Sequence, residues 1–376
     1  MEKTSGYVVG KRVVVALVLV FVALVGSLVV MYLDLKSDIA SLKNENTDLS
    51  SEVEQLRGLI EELQTNQTSG LSPVQIYNQS KFSVVLITTD KGEGSGFVYD
   101  SQGHIVTNNH VVEGTTNITM TFFDGTVETA QIIGTSDVYS DLALIKVDKL
   151  PTQSQPLPIR NSTQLMVGEP VYAIGNPFGL SSSMTSGIIS QLERVKTLSE
   201  LGEPVPPAEG NYSMADLIQF DAAVNTGNSG GPLLDSFGYV IGVTFAIETD
   251  NTGVNGFIGI AYAVPSILLL RVIPALKSTG HYDHPWVGIE YDSRYTDGVH
   301  VVGIVSGGPA YKAGLQVGDV IKQVDGLQVN SGAGFIIYLE RYKSPSDTIS
   351  LDVNRNGSTI NKTLTLEPRA LSQASP

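Results

Sequence analysis

Ser229 stands in Gly227-Asn228-Ser229-Gly230-Gly231-Pro232, where glycines on both sides of a serine suit a nucleophile held in a tight turn. Acyl transfer at a serine needs backbone N–H groups close to the developing oxyanion, and side chains larger than hydrogen block that approach. The N–H groups of Gly227 and Ser229 are the expected donors. A serine hydroxyl alone is a weak nucleophile, so the chemistry also requires a histidine base and an acid that orients it. Five histidines are available. Only His110 follows a strand pattern, Gly103-His104-Ile105-Val106-Thr107, that runs into Asn108-Asn109-His110-Val111-Val112. His104, His281, His284 and His300 have no comparable setting. Asp141 opens the apolar run Leu142-Ala143-Leu144-Ile145, a buried-strand signal that sets its carboxylate at the edge of a core. Asp137 is the alternative acid, without an apolar strand directly behind it. In chain order His110, Asp141 and Ser229 are the parts of a serine protease, a chemistry that calls for no metal or other cofactor.

Four stretches, TNNHVV, SDLALIKV, AIGNPFG and GNSGGPL, resemble the HtrA (Deg) family of chymotrypsin-like serine proteases. The resemblance runs from about residue 75 to 370 and includes a carboxy-terminal segment similar to a PDZ domain. It implies that His110 is the general base, Asp141 its orienter and Ser229 the nucleophile. It also implies trimers, the usual assembly of the family, and unfolded or damaged extracytoplasmic proteins as substrates. A chaperone or scaffold that uses the PDZ segment with little proteolysis is the competing reading.

The elements that position these residues are short strands. Val84-Val85-Leu86-Ile87-Thr88, Gly96-Phe97-Val98-Tyr99 and Ile118-Thr119-Met120-Thr121-Phe122 read as strands, and Asp124-Gly125 before Val127 as a hairpin turn. A protease portion over 75–278 is therefore expected to be mostly β, two antiparallel barrels whose catalytic residues meet at the seam. Pro151 to Pro158 is the expected link between them, and Val171-Tyr172-Ala173-Ile174-Gly175 starts the second barrel. Between Leu192 and Ala215 the pattern lapses into a polar, proline-containing loop. No carboxylate stands at Ala222 or Ala223 or along Val240-Ile241-Gly242-Val243-Thr244-Phe245, the strand expected to line the cleft, so an apolar, aliphatic residue is expected on the acyl side of the cut bond. Ala261 to Leu276 reads as a closing strand and helix.

The second domain, 280–370, is similar to PDZ domains at three places. Trp286-Val287-Gly288-Ile289 resembles the loop whose backbone N–H groups capture a chain terminus. Gly308-Pro309-Ala310-Tyr311-Lys312-Ala313-Gly314 reads as a one-turn helix with early proline and terminating glycine. Gly318 to Gly326 reads as a strand ending in a hairpin turn.

Residues 13–33 are uncharged and as long as a hydrocarbon core requires of a helix. Lys3, Lys11 and Arg12 precede this transmembrane span, which puts the 1–12 tail in the cytoplasm and everything after it outside. From 34 to 65 a heptad follows, with Leu35, Leu42, Leu49, Leu56 and Leu63 at d and Ile39, Asn46, Val53 and Ile60 at a. β-Branched a positions and one buried asparagine favour a parallel dimeric coiled coil, with Asp38 and Glu52 facing Lys43 and Arg57 across the seam. That dimer signal conflicts with the family's trimer. Residues 66–74, polar with Gly70 and Pro73, read as a linker.

The net charge of −15 excludes nucleic acid as a partner, since no basic surplus exists to displace counterions from phosphate. Zero cysteines exclude disulfides and thiolate chemistry. Seven Asn-x-Ser/Thr sequons, at Asn66, Asn78, Asn117, Asn161, Asn211, Asn356 and Asn361, all lie beyond the span, as glycosylation outside the membrane would require.

Overall fold

Residues 84 to 147 are apolar at adjacent as well as alternate positions, which a strand can satisfy only when both of its faces are covered. In the computed structural model, which describes residues 5–68, 70–176, 182–197, 199–201, 213–225, 227–247 and 258–369, both faces are. Six strands, β1 (Val84–Thr89), β2 (Glu93–Val98), β3 (His104–Thr107), β4 (Ile118–Thr121), β5 (Val127–Thr135) and β6 (Ala143–Val147), close into an antiparallel barrel in the order β1-β2-β3-β6-β5-β4. Val85, Ile87, Ile105, Met120 and Ile145 fill its interior, while Val84, Phe97, Val106 and Leu144 point out into a core shared with the second barrel. The predicted Asp124-Gly125 turn joins β4 to β5, with Gly125 at φ 84° and Phe122 N–H donating to the Thr126 carbonyl at 2.9 Å.

The second barrel repeats this topology with β7 (Pro170–Gly175), β8 (Ser183–Thr197), β9 (Ser213–Phe220), β10 (Pro232–Leu234), β11 (Val240–Ile247) and β12 (Ala261–Pro265), in the order β10-β11-β12-β9-β8-β7. Val171, Ala173, Ile218, Leu233 and Ile241 are inside it, and Tyr172, Ile174, Leu234, Val243 and Tyr262 meet the first barrel. The expected loop from Leu192 to Ala215 is corrected in part. β8 continues through Thr197 and β9 begins at Ser213, pairing Arg194 with Leu217 and Lys196 with Met214 across several register shifts. Long charged side chains on the solvent face of this two-stranded ribbon mask its strand character. The remainder of that loop, 202–212, lies outside the described residues.

After β3 the one-turn helix α3 (Asn109–Val112) carries His110, and helix α4 (Ser266–Thr279) closes the pair, burying Leu268, Leu269, Val272, Ile273 and Leu276, and stops at Gly280 in the left-handed region (φ 81°). A mixed set of short elements follows: β13 (Pro285–Trp286), β14 (Ile289–Tyr291), β15 (Val299–Ile304), α5 (Pro309–Lys312), β16 (Val320–Val324), β17 (Leu327–Gln328), α6 (Gly332–Tyr342), β18 (Thr348–Arg355), β19 (Ser358–Thr365) and β20 (Glu367–Pro368). The main sheet runs β14-β15-β16-β18-β19, with Val301, Ile321, Phe335, Leu339 and Leu351 in its own core. The predicted one-turn helix is α5, and the predicted strand and hairpin turn are β16 and Asp325-Gly326, both at positive φ.

Residues 1–70 form a separate compact unit. Helix α1 runs unbroken from Ser5 to Thr68, so the span and the heptad belong to one helix, which also passes the predicted start of the linker at 66. Nothing in Gln64 to Thr68 breaks a helix: the first glycine is Gly70 and the first proline Pro73. A second helix, α2 (Pro73–Ser80), starts at once under a capping box between Ser72 and Gln75.

Candidate active site

Asp141 sits between a turn and β6 with φ 46°, in the left-handed region where a non-glycine residue is strained. Four hydrogen bonds hold it there. Its carbonyl accepts from Asn108 Nδ2 at 2.9 Å and Asn109 N–H at 3.1 Å, its own N–H donates to the Asp137 carbonyl at 2.9 Å, and its carboxylate accepts the His110 N–H through Oδ1 at 2.9 Å. The other carboxylate oxygen meets His110 Nδ1 at 2.7 Å. A carboxylate only accepts, so Nδ1 carries a proton, and in the neutral ring Nε2 is the acceptor. The aspartate side chain is 4% exposed and the imidazole 34%. One group of the pair is thus shielded and the other open to a substrate.

The Gly227–Gly231 turn that carries Ser229 precedes β10. Gly227 (φ 102°) and Gly230 (φ 85°) both need positive φ. At Gly230 no side chain fits: a Cβ would lie 2.2 Å from the Ser95 carbonyl and 2.3 Å from Thr107 Oγ1, both in the first barrel. Gly230 N–H donates to the Thr244 carbonyl, and Thr244 N–H to the Gly231 carbonyl, each at 2.9 Å, which ties the turn to β11. Ser229 Oγ donates to the Phe245 carbonyl at 3.3 Å, and the Phe245 ring stands edge-on to the His110 ring at 5.9 Å. His110 and Asp141 are therefore in direct contact, and Phe245 touches both sides of the site, its carbonyl at Ser229 and its ring at His110.

Asp137, the alternative acid, faces elsewhere. Its carboxylate lies 3.0 Å from His284 Nε2, and His284 Nδ1 lies 2.8 Å from Glu340 on α6. Burial pushes the His284 pKa down, but the charges of Glu340 and Asp137 outweigh it and raise it to about 10. Burial pushes the Asp137 carboxyl up, and the His284 charge with its hydrogen bond brings it below its ordinary value. This buried triad joins the acid-bearing turn to the carboxy-terminal domain. Sequence reasoning passed over His284 because nothing local marks it; its partners are 147 and 56 residues away. Ser95 and Thr244, also buried against the nucleophile turn, were missed as well. The glycines on both sides of Ser95 are the one signal that could have found it.

Trp286, Val287, Gly288 and Ile289 line a cavity of about 510 Å³ together with Phe335 and Leu339 of α6. Thr197, Ser213, Ala215 and Leu268 of the second barrel and α4 line it too, so the cavity spans the junction of the two domains. Beside it, Arg341 of α6 makes a bidentate ion pair with Asp216 of β9.

Two closed barrels of this topology, with the Gly227–Pro232 turn at their seam, define a trypsin-like fold, and the appended sheet and helix a PDZ domain. Residues 94–243 match a trypsin-like peptidase domain, and residues 241–366 a PDZ domain. The chain belongs to the HtrA, or Do-like, family of serine proteases. It is 34% identical over 335 residues to protease Do-like 1, chloroplastic, of Arabidopsis thaliana, covering 81% of this chain and 73% of that protein. A probable periplasmic serine endoprotease, DegP-like, of Chlamydia trachomatis is 38% identical; 72% of this chain matches about half, 53%, of its length. Among solved structures, the HtrA-type protease AlgW with a tripeptide superposes with a TM-score of 0.66 at 31% identity, over 80% of this chain and 98% of that one.

Proposed function

We propose that this protein is a membrane-anchored serine endopeptidase that cleaves unfolded or damaged proteins outside the cytoplasm. The observation that carries the reading is the two-point contact of Asp141 with His110, made while Asp137 is engaged by His284. Ser229 Oγ attacks the scissile carbonyl as His110 Nε2 takes its proton. Asp141 keeps the imidazole in the tautomer that can do so and stabilises the imidazolium that forms. The N–H groups of Gly227 and Ser229 stabilise the oxyanion. His110 then returns the proton to the leaving amine, and water repeats the cycle on the acyl-enzyme.

The PDZ domain, through the 286–289 loop, receives peptide termini; the tripeptide named with AlgW supports a peptide as the occupant. Anchoring is supported by the apolar stretch of α1 from Val13, long enough to cross a membrane. The described sequon side chains, Asn78, Asn117, Asn161, Asn356 and Asn361, are all exposed, in keeping with an outward-facing ectodomain; the side chain of Asn66 and all of Asn211 lie outside the described residues. The heptad leucines whose side chains are described, Leu35, Leu42, Leu49 and Leu56, are exposed along a single copy, Leu42 by 62% and Leu49 by 61%, which supports pairing with a second copy through the coiled coil. A division of the protease portion from the PDZ domain near residue 279 is supported by the end of α4 at Thr279.

Casein digestion by the detergent-solubilised chain, against a Ser229→Ala variant, tests the enzymatic reading. The variant is expected to be folded and inactive, and digestion by it at the wild-type rate sinks the assignment.

A further inference from the structure

Every polar group of Ser95 touches the catalytic machinery, although Ser95 belongs to β2 in the first barrel and the nucleophile turn to the second. Its N–H donates to the Ser229 carbonyl at 2.8 Å, and its hydroxyl to the Gly227 carbonyl at 2.6 Å. Its carbonyl accepts from Thr107 Oγ1 at 2.7 Å, at the end of the strand that leads to His110. The hydroxyl oxygen also receives the Asn176 N–H at 2.9 Å. Ser95 is fully buried, so none of these bonds exchanges with water.

The two carbonyls that Ser95 holds flank Asn228. They belong to the peptide planes 227–228 and 229–230, and the plane between them carries the N–H of Ser229. That plane is held by its own carbonyl, Asn228 C=O, which accepts from Thr244 Oγ1 and from the Gly231 N–H at 2.9 Å, and Ser95 fixes the planes on either side, so the Ser229 N–H cannot turn without breaking a buried hydrogen bond. The plane 227–228 is held from its other side as well, because the Asn228 N–H donates to the Asn225 carbonyl at 3.0 Å. A hydroxyl has one proton, and the Asn176 N–H can only donate, so the Ser95 proton is directed to Gly227.

We propose that Ser95 is a positioning residue for the oxyanion hole, acting through the Gly227 and Ser229 carbonyls, with Asn176 setting the direction of its hydroxyl. The proposal rests on the reading of Ser229 as nucleophile and of Gly227 and Ser229 as oxyanion donors. Donors aimed at charge that develops only in the transition state act on kcat and leave ground-state binding alone. Loss of the Ser95 hydroxyl loosens the aim without deleting a donor, so the effect is smaller than the roughly 100- to 1,000-fold cost of removing one.

The test uses the detergent-solubilised full chain, a quenched-fluorescent peptide with an aliphatic residue before the cleaved bond, and a peptide boronate that captures the tetrahedral geometry. Ser95→Ala is expected to lower kcat about 10- to 100-fold with KM changed less than about threefold, and to weaken the boronate by the same factor as kcat/KM. Ser95→Thr restores the hydroxyl and is expected to recover most of the rate. Ser95→Cys, whose thiol donates weakly, is expected to fall between, and it replaces Ser95→Ala in the comparison if the alanine variant does not fold. A kcat within threefold of wild type, a loss confined to KM, or unchanged boronate affinity overturns the proposal. Ser229→Ala, measured alongside, separates the two layers: an inactive Ser229→Ala with a fully active Ser95→Ala condemns the positioning role alone, whereas an active Ser229→Ala removes the basis of both.

Discussion

Asp141 grips His110 at two points, its Oδ1 taking the backbone N–H at 2.9 Å and its Oδ2 the Nδ1 proton at 2.7 Å. A single side chain thereby sets both where the histidine backbone stands and which ring nitrogen faces the aspartate. The left-handed backbone at Asp141 is the cost of this arrangement, and the Asn108 and Asn109 contacts hold it in place.

Asp141→Asn keeps the shape but offers one acceptor oxygen where two are used. If that oxygen keeps the backbone contact, an amide N–H faces Nδ1 and favours the tautomer whose Nε2 cannot accept a proton. We expect kcat to fall roughly 10³- to 10⁴-fold, with the protein folded. Asp137→Asn is expected to leave kcat within about tenfold of wild type, because its partner is His284. Peptide hydrolysis by the two variants distinguishes the acids, and the opposite ranking transfers the role to Asp137.

The His284 bridge makes stability depend on pH. Its pKa rises from an ordinary 6.5 to about 10 in the folded chain, so its contribution is complete below 6.5 and is lost as pH rises through 10. Asp137 is shifted the other way, and its share is present above 3.8 and lost as pH falls. Apparent Tm is therefore expected to decline between pH 7 and 10. His284→Ala strands two buried carboxylates, costs about 3–5 kcal/mol, and flattens that decline. Parallel Tm profiles for variant and wild type across this range would rule out the bridge as the source.

Peptide capture by the PDZ domain is testable on the intact Ser229→Ala chain, which cannot consume its ligand. A peptide with a free, apolar carboxy-terminal residue is expected to bind at least about tenfold more tightly than its amidated form, since the backbone donors of the 286–289 loop lose a charged partner on amidation. Calorimetric titrations that coincide for the two forms count against that loop.

For assembly, the segment 34–65 made as a peptide is expected to be helical and dimeric. Asn46→Ile is expected to raise its Tm while broadening its oligomer distribution, because a buried polar pair is exchanged for packing and the register constraint is lost. Sedimentation equilibrium reads both effects. A peptide that stays monomeric at high micromolar concentration defeats the coiled coil.

What could be read from the chain alone was whatever has a local physical cause. Glycines around Ser229 announce a tight turn, the Asp124-Gly125 and Asp325-Gly326 pairs announce hairpins, the heptad of α1 repeats with a helical period, and its apolar stretch is an uninterrupted uncharged run; each signal is confined to a continuous piece of chain. Contacts between distant segments left no such trace. That Asp137 and Glu340 both belong to His284, that the cavity beside the 286–289 loop is walled partly by β8, β9 and α4, and that Ser95 clamps a turn more than 130 residues away were decided by the closure of two barrels and the docking of a third domain. The charged ribbon of β8 shows the same limit from the other side: its strand character comes from its pairing with β9, and a period-2 apolar pattern is absent because Ile189 is its only buried residue and neither face of the ribbon covers a core.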